Sequence, residues 1–169
     1  MKRIQTPFII DVEASGFGST SYPIEVGVVV SDGLKYCSLI MPDKEWTHWD
    51  MAAEQVHHIS RHNLKVHGKS IHTVAHQLND YFEGMTLYSD GWVVDKPWLT
   101  RLFYVARTPM KFYVSPLELI LSEAQMAIWH NTKDQVTKEL NLVRHRASND
   151  AAIIQETYRR TLIASNQKS

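Results

Sequence analysis

Phe8-Ile9-Ile10-Asp11-Val12-Glu13-Ala14-Ser15-Gly16 is the stretch on which the reading of this chain turns. Its three opening apolar residues are those of a buried strand. Asp11 and Glu13 follow with one valine between them. In a strand, residues i and i+2 point to one face, so both carboxylates look out on the same side. Two such acids repel each other, and burying either alone is costly. A divalent cation removes both problems, and hard oxygen donors suit magnesium or manganese. Taken alone, Asp-x-Glu is more often a pair of solvated acids on an edge strand. The decision belongs to the rest of the chain.

With 169 residues, 44% of them hydrophobic and 21% charged, the chain has the composition of one ordinary globular domain, expected to span 1–169 with a polar, disordered tail at 165–169. The single Cys37 excludes an intramolecular disulfide and a multi-cysteine zinc site, and fits a reducing compartment. Met1-Lys2-Arg3 is basic, but the apolar run at 7–10 is too short for a signal peptide, and no segment has the length of a membrane span. The expectation is a soluble, cytoplasmic protein without a membrane partner. Its 18 basic and 18 acidic residues cancel. That balance argues against coating long nucleic acid and leaves room for an enzyme that grips a few nucleotides.

Beyond Gly16, residues 17–23 are small, polar and Gly-rich, the composition of a loop. Ile24 to Val30 is β-branched and ends in the turn signal Ser31-Asp32-Gly33, and Leu34 to Met41 makes a third strand. Three strands on short loops predict an antiparallel meander. Short helical pieces are predicted around 52–55 and 60–65. Apolar spacing from Ile71 to Phe82 predicts a helix capped by Ser70. A strand is expected at 85–89, then a helix from Asp95 with Pro97 in its first turn. Another strand is expected at 111–114. Residues 116–140 read as mostly helical, broken near His130-Asn131-Thr132, and 146–164 as a last helix with Ala147, Ala151, Ile154 and Tyr158 in one stripe. A meander that passes into βαβ crossovers gives an α/β fold, a mixed sheet flanked by helices.

Two more acids occupy informative places. Asp95 lies at a strand-to-helix transition, where a carboxylate can equally be a helix cap. Asp150 falls in the first turn of the last helix, five residues after His145. Singly, each is ordinary. As an ordered set, Ile10-Asp11-Val12-Glu13-Ala14-Ser15-Gly16-Phe17, then Asp90-Gly91-Trp92-Val93-Val94-Asp95-Lys96-Pro97-Trp98-Leu99, then His145-Arg146-Ala147-Ser148-Asn149-Asp150-Ala151, the chain resembles the DEDDh branch of the DnaQ-like 3′-to-5′ exonucleases, the group of oligoribonuclease, RNase T and polymerase proofreading domains. Glu54 to Ser60 is similar to the segment before the family's first long helix.

The resemblance implies an RNase H-like five-stranded sheet and two divalent cations, Mg²⁺ or Mn²⁺, held by Asp11, Glu13, Asp95 and Asp150, with Asp11 touching both. In such sites the ions lie about 3.5–4 Å apart and clamp the attacking and leaving oxygens. His145 is implied as the general base, its ordinary pKa being near neutrality. Ser15, Gly16 and Phe17 are implied to meet the 3′-terminal nucleotide, Phe17 by stacking on a base, although a core role for that ring is an equal alternative. Family members often carry His-Asn before the third acid. Here the place reads Asp90-Gly91, so Asp90 is a rival to Asp95, which is preferred because the family helix begins there.

The histidine pairs His58/His62 and His72/His76 lack companion ligands at zinc spacing and read as structural. The tryptophans read mostly as core, with Trp46 or Trp92 a candidate for base stacking. Lys133, Lys138, Arg144 and Arg146 are basic residues near the implied site, equally a solvated face or a phosphate track. The expected activity is release of nucleoside 5′-monophosphates from the 3′ end of single-stranded or short RNA or DNA. A catalytically silent nucleic-acid-binding or scaffold module of the same fold, or a polymerase-associated proofreading subunit, is the alternative. Homodimerisation is common among small relatives and is an expectation here.

Overall fold

The computed structural model describes residues 5–31 and 33–166. Met1-Lys2-Arg3, Asp32 of the second turn and the last three tail residues lie outside them. Five strands, β1 (Ile9–Ala14), β2 (Pro23–Val29), β3 (Lys35–Leu39), β4 (Thr86–Ser89) and β5 (Tyr113–Pro116), form one sheet in the order β3-β2-β1-β4-β5. β1, β2 and β3 pair antiparallel, while β4 runs parallel to both β1 and β5. The predicted meander passing into crossovers is therefore the observed topology.

Alternation along β1 divides the molecule. Ile10 and Val12 face one side with Ile24, Val26 and Val28 of β2. There they pack with Val74, Ala75 and Leu78 of α3 (Ile71–Phe82) and with Leu99 and Leu102 of α4 (Trp92–Val105). Ile9 and Val29 face the other side. They meet Trp129 of α5 (Glu123–Leu140) and Ala151 and Ile154 of α6 (Ala147–Asn166). β2 lies between two strands and under both layers, so all seven of its residues are buried. Burying each Leu, Ile or Val in these layers stabilises by about 1.5–3 kcal/mol relative to exposure, which fixes the register of the sheet.

The irregular stretch between β3 and α3 holds α1 (Met51–His57) and α2 (Arg61–His67). Asp50 caps α1 by accepting the Ala52 amide at 2.8 Å, and Ser60 caps α2 by accepting the Asn63 amide at 3.1 Å.

Three local expectations are corrected. α4 begins at Trp92, its first turn closed by the Val94 and Asp95 amides on Gly91 O, so Pro97 lies inside the helix. α5 runs unbroken through His130-Asn131-Thr132. The break comes earlier, between a 3-10 turn (Leu117–Ile120) and the Ser122–Gln125 capping box. Those three residues include neither Gly nor Pro, and buried Trp129 and Val136 hold the helix on either side of them. α6 extends through Ser165 and Asn166, which the sequence assigned to a frayed tail. No helix of the described residues is long and apolar enough to cross a membrane.

Candidate active site

β1 sets the floor of a cleft of about 410 Å³. Asp11 and Glu13 stand there on the face that receives α6. α4 enters with Asp95, the loop ahead of α6 with His145, and the first turn of α6 with Asp150. The walls are Gly16 and Phe17, α1 from Asp50 to His57, and Val94 and Trp98 of α4. All five residues of the ordered acidic set thus line one cavity.

The carboxylates are not alike. Asp95 is 3% exposed and accepts the Ser89 hydroxyl at 2.5 Å, which ties it to the end of β4, and the N-cap of α4 is Gly91. Burial pushes it up to about 8, the Ser89 hydrogen bond opposing and Asp90 and Glu13 adding. Glu13 is raised to about 7 by burial, with Asp150 and Glu25 adding and Arg144 and Arg146 opposing. Asp11 is held well above the carboxylate range by burial first, then by Asp95, Glu13, Asp150 and Asp90. Asp150 accepts Arg144 Nε at 2.7 Å and the His145 amide at 3.1 Å, and its Oδ2 lies 4.0 Å from His145 Nδ1. His145 precedes α6 in the left-handed region, φ +58°.

Buried, mutually repelling carboxylates are a donor set that fits hard divalent cations. Ligand atoms of Glu13, His145 and Asp150 lie within 4.8 Å of one another, and among the described residues no other group of His, Cys, Asp and Glu converges in this way. The histidine pairs set aside as structural form no such group.

The other predicted residues separate. Gly16 lines the cleft, and a Cβ there would stand 2.8 Å from Asp50 Cβ and from His48 Cε1, so only glycine lets the turn close on α1. Phe17 is 78% exposed beside Trp98, at 6.4 Å between ring centroids, which removes the core alternative. Ser15 is buried behind the turn, its Oγ accepting the Tyr22 amide at 3.2 Å. It shapes the turn and does not line the cleft. Trp92 lies outside the cleft on the outer face of α4, its Nε1 donating to Val114 O at 2.9 Å on β5. Trp46 is buried and stacked on Tyr22 at 5.2 Å, so it offers no face to a base. Asp90 turns to α5 and pairs with Lys133 at 2.5 Å, leaving Asp95 as the acid in the cleft. Arg144 pairs with Asp150 and Arg146 with Glu25, each at 2.7 Å, so three of the four basic residues are in ion pairs, the two arginine side chains remaining 41% exposed.

Two residues escaped the sequence reading. His57 is 3% exposed and lines the cleft. Its Nδ1 accepts the Ile59 amide at 3.0 Å, so Nε2 carries the proton, and that N–H has no partner in the structure. Burial keeps the ring's pKa below its ordinary value, favouring the neutral form. Glu25 is fully buried in β2 under the start of α6. A carboxylate inside the β-branched run Ile24–Val30 was its only signal.

No protein-family model matches the chain, and no curated protein matches it by sequence. Solved structures do match. Escherichia coli exonuclease I in complex with a dA16 oligonucleotide superimposes with a TM-score of 0.70 at 12% identity, over 98% of this chain and 42% of that one. The zinc-bound form of the exonuclease I–ssDNA complex gives 0.69 at 13% identity, with the same coverage. A further exonuclease I structure, one that suggests how processivity is achieved, gives 0.67 at 12% identity, over 90% and 40%. The chain thus spans about two fifths of the length of these structures. At such identities the likeness is one of fold: the mixed five-stranded sheet with its flanking helices is the RNase H-like fold that exonuclease I shares.

Proposed function

We propose that this protein is a metal-dependent 3′-to-5′ exonuclease that releases nucleoside 5′-monophosphates from single-stranded nucleic acid. The observation that carries the reading is the convergence of Asp11, Glu13, Asp95, Asp150 and His145 in one cleft. Asp11, Glu13, Asp95 and Asp150 would hold two divalent cations, Mg²⁺ or Mn²⁺. Bound there, such ions lower the pKa of water and neutralise charge on the attacking and leaving oxygens.

The chain's own groups supply the rest. His145 has a side chain 44% exposed, so a proton it accepts from the attacking water passes readily to solvent. Phe17, Val56, Val94 and Trp98 give the cleft apolar walls against which an unstacked base can lie. The unpartnered His57 Nε2–H is a donor for an oxygen of the terminal nucleotide. Exonuclease I has been solved in complex with a dA16 oligonucleotide and with ssDNA, which supports a single-stranded substrate here.

The test is a 5′-labelled single-stranded DNA and RNA of equal sequence, incubated with the protein and Mg²⁺ or Mn²⁺. A ladder that shortens from the 3′ end is expected. No ladder on either polymer with either metal, from folded protein, overturns the reading.

A further inference from the structure

Glu25 needs an account of its own. It is a fully buried carboxylate in β2, placed directly across from Glu13 in the antiparallel register. Both side chains therefore share the sheet face on which α6 lies. Burying a carboxylate is unfavourable unless its lone pairs are filled. One short segment fills most of them. Arg146 Nε donates to Oε1 at 3.1 Å and Oε2 at 3.2 Å, Arg146 Nη2 to Oε1 at 2.7 Å, and the Ala147 amide to Oε2 at 2.8 Å. Cys37 Sγ adds a weaker contact at 3.5 Å.

The grip falls between His145 and Asp150. The Ala147 N–H is one of the donors that a helix start leaves without an intrahelical partner, and here β2 supplies its acceptor. Gly27, two residues along the same face, permits the approach: a Cβ there would lie 2.2 Å from Ser148 N and 2.4 Å from Ala147 C. His145, immediately before the grip, has φ +58°, a conformation that a non-glycine residue keeps only where its surroundings over-determine it. Its amide then donates to Asp150, closing the turn.

We propose that Glu25 is a positioning residue: through Arg146 and the Ala147 amide it fixes the backbone at His145 and the first turn of α6, so that His145 and Asp150 stand beside Glu13. In its kinetic consequence the proposal rests on the nuclease reading; in its conformational consequence it does not.

The experiment uses Arg146→Met, Arg146→Lys and Glu25→Gln, with two readouts. One is kcat and KM on 5′-labelled single-stranded DNA. The other is amide hydrogen exchange at 145–150 in the metal-free protein, with Ile154 farther along α6 as the internal reference. Arg146→Met is expected to lower kcat about 10–100-fold, the range for partners that orient a metal site, with KM within about threefold. Exchange at His145 and Asp150 should speed up about tenfold or more relative to Ile154. Arg146→Lys should recover part of both. A merely structural role would lower the thermal midpoint and leave kcat per folded molecule unchanged. Glu25→Gln should act in the same direction. If it does not fold, Arg146→Met decides alone, since that side chain is 41% exposed. Unchanged exchange at 145–150 overturns the proposal, as does unchanged kcat despite faster exchange. Should the unsubstituted protein cleave nothing, the nuclease reading fails, and the exchange arm still decides whether Glu25 holds this turn.

Discussion

At the scale of the residue, Glu13 and Asp95 bind protons more tightly in the fold than in the unfolded chain, because burial and neighbouring acids penalise ionisation. The sign of the consequence follows. Between the ordinary carboxylate values and about 7 to 8, the folded state holds protons that the unfolded state has lost, so stability falls as pH rises through that window. For Glu13 alone, going from 4.5 to about 7 corresponds to about 3 kcal/mol. Thermal unfolding of the metal-free protein should show a midpoint that drops from pH 5 to pH 8. Saturating Mn²⁺ should reverse much of the drop, adding about 2.7 kcal/mol at a hundredfold excess over its dissociation constant. A midpoint indifferent to both pH and Mn²⁺ would contradict the crowded-carboxylate site. Asp11→Asn should remove activity while raising the metal-free midpoint near neutral pH, because it replaces a buried carboxyl whose ionisation the fold penalises with a group that never ionises. His145→Ala separates chemistry from binding. It should cut kcat about 10²–10⁴-fold, the usual worth of a general base, with Mn²⁺ affinity by calorimetry within a few-fold of the unsubstituted protein.

At the scale of the element, the placement of α6 is the decisive event, since this helix brings the last acid to a floor built by β1. It docks closely because Ala147 and Ala151 are small and because β2 carries Gly27 beneath its first turn. Gly27→Ala should therefore destabilise the fold by about 1–3 kcal/mol through overpacking against helix backbone, and should reduce activity by more than the loss of folded protein explains. Denaturant titration beside the cleavage assay checks both halves. The elements were legible in the sequence where one physical signal dominated. Alternation placed Asp11 and Glu13 on one face, and the apolar stripe found α6. The reading went astray where tertiary contacts overrode local signals. Polar His130-Asn131-Thr132 suggested a break, but buried Trp129 and Val136 keep α5 continuous. Pro97 suggested a helix start, yet Gly91 O collects the first-turn amides six residues earlier. Ser15 and Trp92 sit next in sequence to residues that line the cleft, but hydrogen bonds to Tyr22 and Val114 turn their side chains away from it. One pairing spans a seven-residue turn and the other joins α4 to β5, and no periodic pattern encodes either. Glu25 is hidden in the same way, since its main partners, Arg146 and the Ala147 amide, lie more than 120 residues away.

At the scale of the whole molecule, charge decides how the protein meets a polyanion. The chain carries 18 basic and 18 acidic residues, and three of the four basic residues that the sequence suggested lie near the site are in ion pairs. Lys133 is on Asp90, Arg144 on Asp150 and Arg146 on Glu25. Each pair cancels locally, so few phosphates of a single strand can be neutralised by free side chains, and few condensed counterions are released when it binds. On the proposed nuclease reading, attraction would then come mainly from divalent cations at the cleft, acting on the terminal phosphates. The measurable consequence is a shallow salt dependence. For single strands the slope of log affinity against log salt is about −0.7 for each phosphate neutralised, so one to two contacts give a slope no steeper than about −1.4. The measurement is KM for a 5′-labelled single strand at fixed Mg²⁺, with monovalent salt varied from about 50 to 200 mM, the interval over which extensive phosphate contact would cost orders of magnitude. A slope near −4 or steeper would mean that a longer basic track engages the strand, and the paired lysine and arginines would be the first groups to substitute in locating it. A shallow slope, with kcat lost on Asp11→Asn and KM nearly unmoved by Lys133→Met, would place substrate recognition at the 3′ end within the cleft.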